Sequence, residues 1–322
     1  MYKVIMVPTD GSGFDREAIR VALRIAERSD AKVRLVRVLA TGSYFGMAAM
    51  IDGMAIAAEL VNSERDKALS ELYALAAECR AKSNADIIVD LHAGPIGDVL
   101  QGYARRNDVD LIVISTHGRT GISRLSLGSV TDSLIRHTTI PVLVVPPTSY
   151  LNPRVIEAFK RIVVPLDGST LAEQILPRVL ELAKLEEAEI TLLNVLIPQS
   201  YSQKEIVDPS LPWWDKDIAH AQSYLFRIAG RLRRNGVAVT TDIVIGENVA
   251  SAIGDFAGRE RADLIAIATH GRGGLARMIR GSVADAIMHS GRMSMLVFKP
   301  DQVAEKEASP STNEVRADLI PA

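Results

Sequence analysis

The sequence holds one cysteine, Cys79, in 322 residues. An intrachain disulfide is excluded, and a cysteine-based zinc site would lack its ligands. Aromatic residues reach only 5%. Any core must therefore be aliphatic, which favours buried parallel strands under helices over an aromatic-rich sandwich. There is no excess charge of one sign: 37 Lys and Arg stand against 39 Asp and Glu, a net charge of −2. No general attraction to nucleic acid or to an anionic membrane follows, and neither is an expected partner. Long hydrophobic runs are missing too. The opening MYKVIMVPTDG has four consecutive apolar residues after Lys3, too few for a signal-peptide core. The longest apolar stretch, around residues 45–60, is cut by Asp52 and falls short of a membrane span. The expected compartment is the cytosol.

What is present is an ordinary globular balance, 48% hydrophobic and 24% charged, on a length that suits about two domains. The two domains are visible as a repeat. Ile5-Met6-Val7-Pro8-Thr9-Asp10-Gly11-Ser12 returns as Ile162-Val163-Val164-Pro165-Leu166-Asp167-Gly168-Ser169. Asp110-Leu111-Ile112-Val113-Ile114-Ser115-Thr116-His117-Gly118-Arg119 returns as Asp263-Leu264-Ile265-Ala266-Ile267-Ala268-Thr269-His270-Gly271-Arg272. Gly128-Ser129-Val130 returns as Gly281-Ser282-Val283. So long a period means a duplicated domain, not a solenoid. The proline-rich Pro146-Pro147-Thr148-Ser149-Tyr150-Leu151-Asn152-Pro153 marks the boundary. We expect domains over 1–147 and 158–300, a linker over 148–157, and a polar, flexible tail over 301–322.

Each half alternates short apolar runs with longer amphipathic ones. Strands are expected near 3–8, 33–39, 87–92, 111–115 and 142–145. Helices are expected from about Asp15, over 57–82, over 96–106 and from Ser129. The second half repeats the pattern, with strands near 161–165, 189–195, 237–244, 264–268 and 294–298. Alternating β and α predicts an α/β fold with a doubly wound parallel sheet in each half. Ligands of such sheets sit beyond the carboxyl ends of the strands, where the strand order reverses.

The segments after the first, second and fourth strands are therefore the candidates for chemistry. Gly118 and Gly128, with Gly271 and Gly281, permit positive φ and a close approach to the backbone. Ser129 and Ser282 open helices whose first amides suit a phosphate, with Arg119 and Arg272 as added charge. The alternative is that Gly118 merely ends a strand and Ser129 is a plain N-cap. Asp10 and Asp167 suit a ribose hydroxyl, or else cap the next turn through Asp-Gly-Ser chemistry. Val38 and Val195 end the second strands, where backbone groups suit an adenine edge; alone, either is a core valine. No P-loop is present. Gly271-x-Gly273-x-x-Ala276 matches a relaxed dinucleotide pattern but follows the wrong strand. The six histidines form no metal spacing, and no Ser/His/Asp set stands out. Glu186-Glu187 is expected to be solvated and Cys79 to be inert. Trp213 and Trp214 are expected in a loop after the second strand of the second half, covering a base or an interface.

These motifs resemble the universal stress protein family in its tandem form, over about 1–147 and 157–299. Its nucleotide-binding members carry Gly, two residues, Gly, nine residues and Gly-Ser/Thr. Here the first position is Ser115 in one half and Ala268 in the other, and the rest matches. The resemblance implies two Rossmann-like five-stranded sheets in order 3-2-1-4-5, joined through their fifth strands, and a homodimer. Pro141 precedes the fifth strand in one half and Ser294 holds that place in the other, so the two edges differ. The resemblance also implies ATP, with Mg²⁺, as ligand. Pro8, Thr9, Asp10 and Val38, with Pro165, Leu166, Asp167 and Val195, would hold adenosine. Ser115, Thr116, Gly118, Arg119, Gly121, Gly128, Ser129 and Val130 would hold the phosphates. Their counterparts are Ala268, Thr269, Gly271, Arg272, Gly274, Gly281, Ser282 and Val283. The implied role is ATP-dependent stress response without a dedicated catalytic centre. A weak ATPase and an interaction module that binds no nucleotide are the alternatives.

Overall fold

The structure, a computed structural model, describes residues 1–40, 54–116, 127–147, 157–198, 212–269, 282–290 and 293–300. The first half runs β1 (Val4–Pro8), α1 (Arg16–Ser29), β2 (Lys32–Leu39), α2 (Met54–Arg80), β3 (Asp86–Ala93), α3 (Ile96–Arg106), β4 (Leu111–Ser115), α4 (Ser129–His137) and β5 (Val142–Val145). The second runs β6 (Arg161–Pro165), α5 (Thr170–Glu173), α6 (Leu176–Glu186), β7 (Glu189–Leu196), α7 (Pro212–Arg233), β8 (Val239–Ile245), α8 (Val249–Arg259), β9 (Leu264–Ala268), α9 (Ser282–Ser290) and β10 (Ser294–Phe298). The aliphatic runs form the strands because parallel strands bury both faces. β4 and β5 are buried along their whole length.

All ten strands form one sheet, in order β3-β2-β1-β4-β5-β10-β9-β6-β7-β8. Each half therefore has the order 3-2-1-4-5, parallel throughout. The halves meet where β5 and β10 pair antiparallel, with Leu143 opposite Leu296. Helices cover both faces, and one apolar cluster per face runs through both halves. In α1, Ala18, Val21, Ala22 and Ile25 are fully buried, as their helical spacing predicts. The repeated Asp110 and Asp263 have a structural task. Asp110 Oδ2 accepts from the amides of Lys3 and Val4 at 2.7 and 3.0 Å. Asp263 Oδ2 accepts from Lys160 and Arg161, both at 2.9 Å. Each carboxylate anchors the start of the first strand of its half beside the fourth.

The repeat is imperfect in two places. The continuous α1 of the first half is two helices in the second, α5 and α6. Pro177 lies in the first turn of α6, where it lacks the amide a continuous helix would need. Trp213 and Trp214 lie in the first turn of α7 rather than in a loop.

Candidate functional site

In both halves the first and fourth strands pair only at their beginnings. Ile5 and Met6 are opposite Leu111 and Ile112. Ile162 and Val163 are opposite Leu264 and Ile265. Beyond these pairs the strands separate, because the chain crosses to opposite faces on either side of this point. The crevice so formed is flanked by Pro8, Thr9 and Asp10 with Ser115 and Thr116, and by Pro165, Leu166 and Asp167 with Ala268 and Thr269.

In the second half the crevice is a cavity of about 380 Å³. Seven of the expected residues line it: Pro165, Leu166, Asp167, Val195, Ala268, Thr269 and Val283. Ile253 of α8 and Ile267 of β9 add apolar wall. Asp167 is exposed, and its Oδ1 accepts from Ser169 N at 2.9 Å. Ser169 Oγ in turn accepts from Ala172 N at 3.1 Å and caps α5. The turn-capping role open to Asp167 in the sequence is thus realised through one carboxylate oxygen.

The first half is built differently. Asp10 Oδ1 makes the same turn, accepting from Ser12 N at 2.8 Å. Thr9, however, is buried and its hydroxyl donates to the buried Asp15 carboxylate, while Gly11 N donates to Thr9 Oγ1 at 3.2 Å. Burial pushes the Asp15 carboxyl above the ordinary carboxylate range; the Thr9 bond opposes that shift and the nearby Asp10 adds to it. The equivalent residues in the second half are Leu166 and Ala172.

The end of β4 is tied to the start of α4. Gly128 N donates to Thr116 O at 2.9 Å, and Thr131 Oγ1 to Ser115 O at 2.9 Å. Gly128 has φ −60°, so no left-handed conformation demands glycine. A Cβ there would stand 3.2 Å from the Thr116 carbonyl oxygen. The close approach that Gly128 permits is therefore to its own chain, and a large residue would disturb the loop base as well as a ligand. Gly128, not Ser129, is the N-cap of α4, and no side chain caps the helix. Ser129 and Val130 face a cleft of about 500 Å³ shared with Gly94, Ile96 and Gly97. Val38 and Val195 are half-buried against the apolar cluster of this face.

Gly118, Arg119, Gly121, Gly271, Arg272, Gly274 and Gly281, with His117 and His270, lie outside the described residues. Ser282 begins α9. Among the described residues no three His, Cys, Asp or Glu side chains gather as metal ligands, and no helix is long and apolar enough to cross a membrane. Cys79 is buried, and burial pushes its thiol up. Sequence reasoning missed Ile253 and Asp15. The apolar face of α8 would have pointed to the first. No local pattern marks the second, whose partner is six residues away.

The sequence model of the universal stress protein family matches residues 1–146 and 158–299, and the chain belongs to that family. A universal stress protein of Mycobacterium tuberculosis is 25% identical over 320 residues, covering 92% of this chain and 95% of the relative. One from Methanocaldococcus jannaschii is 34% identical over 145 residues, covering 45% of this chain and 82% of the relative. The crystal structure of a universal stress protein from Archaeoglobus fulgidus superposes with a TM-score of 0.66 at 17% identity, covering 92% of this chain and 98% of that one. That likeness establishes the tandem fold.

Proposed function

We propose that the chain binds ATP at the two points where strand order reverses, and that it acts in stress response through the bound state, without a catalytic centre of its own. The observation that carries this reading is the second-half cavity. Its apolar wall, Val195, Ile253, Ile267 and Val283, suits the faces of a purine. Asp167 at its exposed side suits ribose hydroxyls through the oxygen not used by Ser169. The first amides of α9, from Ser282, have no partner within the helix and suit a phosphate. Gly271, Arg272, Gly274 and Gly281 complete the phosphate end by the spacing of the repeat. In the first half, Ser129 and Val130 at the uncapped start of α4 play the same part. Mg²⁺ would arrive on the triphosphate, as it commonly binds through phosphate oxygens.

Native mass spectrometry of the purified full chain, followed by calorimetry with ATP, tests the reading. Co-purified ATP, or binding with micromolar to submicromolar affinity, is the expected result. ADP or AMP appearing from added ATP would favour hydrolysis instead. Absence of both nucleotide and binding heat would leave an interaction module.

A further inference from the structure

The position expected to be solvated, Glu186, is fully buried, and its carboxylate takes hydrogen bonds from the other half. Arg24 Nε and Nη2 donate to Glu186 Oε1 at 3.1 and 3.0 Å, and Arg28 Nη1 donates to Oε2 at 2.8 Å. Arg24 is itself largely buried and lies over the Phe159 ring, 5.1 Å from its centre. These contacts join α1 to α6 beside the β5–β10 seam.

The seam alone does not choose its partner. β5 and β10 are both short, apolar edges, and their pairing is centred on Leu143 and Leu296, which are equivalent positions of the repeat. Apart from the amide that Pro141 lacks and its equivalent Ser294 carries, either edge offers the same unpaired backbone to a second copy of itself. The two helices beside the seam are not interchangeable in this way. Asp30 and Glu187 end α1 and α6 in the same left-handed conformation, their amides returning to Ala26 and Ala183. This fixes the equivalence: Ser29 with Glu186, Arg24 with Glu181, Arg28 with Leu185.

We propose that Arg24, Arg28 and Glu186 are a pairing code that selects the union of unlike halves, β5 against β10, over a union of like halves. Were two first halves joined by the same two-fold arrangement, Arg24 and Arg28 would meet Ser29. Four guanidiniums would then gather at the seam with no carboxylate. Were two second halves joined, Glu186 would meet Glu181 and lose both guanidiniums, leaving it only cations of its own half such as Lys160, whose Nζ donates to the Glu186 carbonyl oxygen at 2.8 Å. Only the unlike pairing matches the charges, and unmatched buried charge is strongly disfavoured. The Met1 amino group reinforces the choice by pairing with Glu181, which Arg24 would replace in a like union. The contact between Arg136 and Asp285, at 3.8 Å, does not exclude a union of two first halves, because Asp132 is the equivalent of Asp285; it disfavours a union of two second halves, where His289 replaces Arg136. The partner fitted by this surface is thus the opposite half, in the same chain or exchanged with a second one.

Light scattering on the full chain tests the code, alongside hydrogen exchange of β5 and β10. In Glu186→Arg the unlike pairing gains repulsion, while a union of two second halves gains an attraction between the introduced arginine and Glu181. The expected result is at least a doubling of mass relative to the parent. Glu186→Met is expected to keep the parent mass with reduced protection, because Arg24 and Arg28 lose their acceptor; the exchange R24E/R28E/E186R is expected to keep the parent mass and the parent protection of both strands. Glu186→Arg at the parent mass with parent protection overturns the proposal. So does Glu186→Met associating to the same extent, because loss of charge rather than its sign would then decide. Should Glu186→Arg fail to fold, the triple exchange decides: parent mass and protection uphold the code, and failure overturns it.

Discussion

The two halves share a fold, a strand order and a crevice, yet solve the same local problems with different chemistry. After the first strand, one half buries a hydroxyl–carboxylate pair, Thr9 and Asp15, where the other packs Leu166 and Ala172. Across the first and second helices, Arg16 pairs with Glu78 at 3.2 Å in one half, and Arg231 with Glu173 at 2.7 Å in the other. These are equivalent positions with the signs exchanged. At the end of the helix after the first strand, Ser29 bonds back to Ile25 O at 2.7 Å, while its equivalent Glu186 reaches into the opposite half. The comparison teaches that the fold constrains the geometry of a contact more tightly than the residue types that make it. Departures from that rule, such as Glu186, mark places where the halves have separate tasks.

Breaking that difference at its strongest point should have the largest effect. Glu186→Ala strands Arg24 and Arg28 and is expected to cost about 3 kcal/mol of stability. Ser29→Ala at the equivalent position removes one hydrogen bond and is expected to cost about 1 kcal/mol or less. Chemical denaturation of the two variants measures the contrast. Next comes the buried carboxylate. Asp15→Asn keeps an acceptor for Thr9 and removes the buried charge, so the variant should be more stable than the parent at neutral pH. Because the folded-state pKa of Asp15 is raised above 3.8, the parent's penalty is full above that raised value. It shrinks as pH falls through it and vanishes below the unfolded value. Thermal melts across that range should show the advantage of Asp15→Asn closing with acid. Ala172→Asp in the other half, without a threonine beside it, should be destabilising throughout. The smallest effect belongs to the exchanged ion pairs, which are exposed and screened. Arg16→Glu alone should lower the melting temperature slightly at low salt. R16E/E78R should recover it, and high salt should erase both changes.

Much of this architecture was legible in the sequence, because it depends on local periodicity and on the repeat. The expected spans of β4, β5, β6, β9 and β10 coincide with the observed strands, each being an aliphatic run between turn residues. The wall of the second-half cavity was equally readable, since Pro165, Asp167, Val195 and Val283 fall at strand and helix ends that the fold class brings together. What stayed hidden depends on distance in the chain. Glu186 reads as a solvated end of helix until the seam brings Arg24 to it, 162 residues away in sequence. Asp15 reads as the start of a helix until its carboxylate is found to accept from the buried Thr9 hydroxyl. Gly128 reads as a ligand-facing glycine until its neighbour is found to be the Thr116 carbonyl.

Nucleotide binding in the second-half cavity is tested by calorimetry with ATP on the full chain and on Ala268→Trp. The substituted indole would intrude on the cavity of about 380 Å³ that Ala268 lines, taking up the room a purine needs, and leave the first half untouched. Two binding events are expected in the parent and one in the variant. Equal stoichiometry and affinity in both proteins would contradict nucleotide binding there.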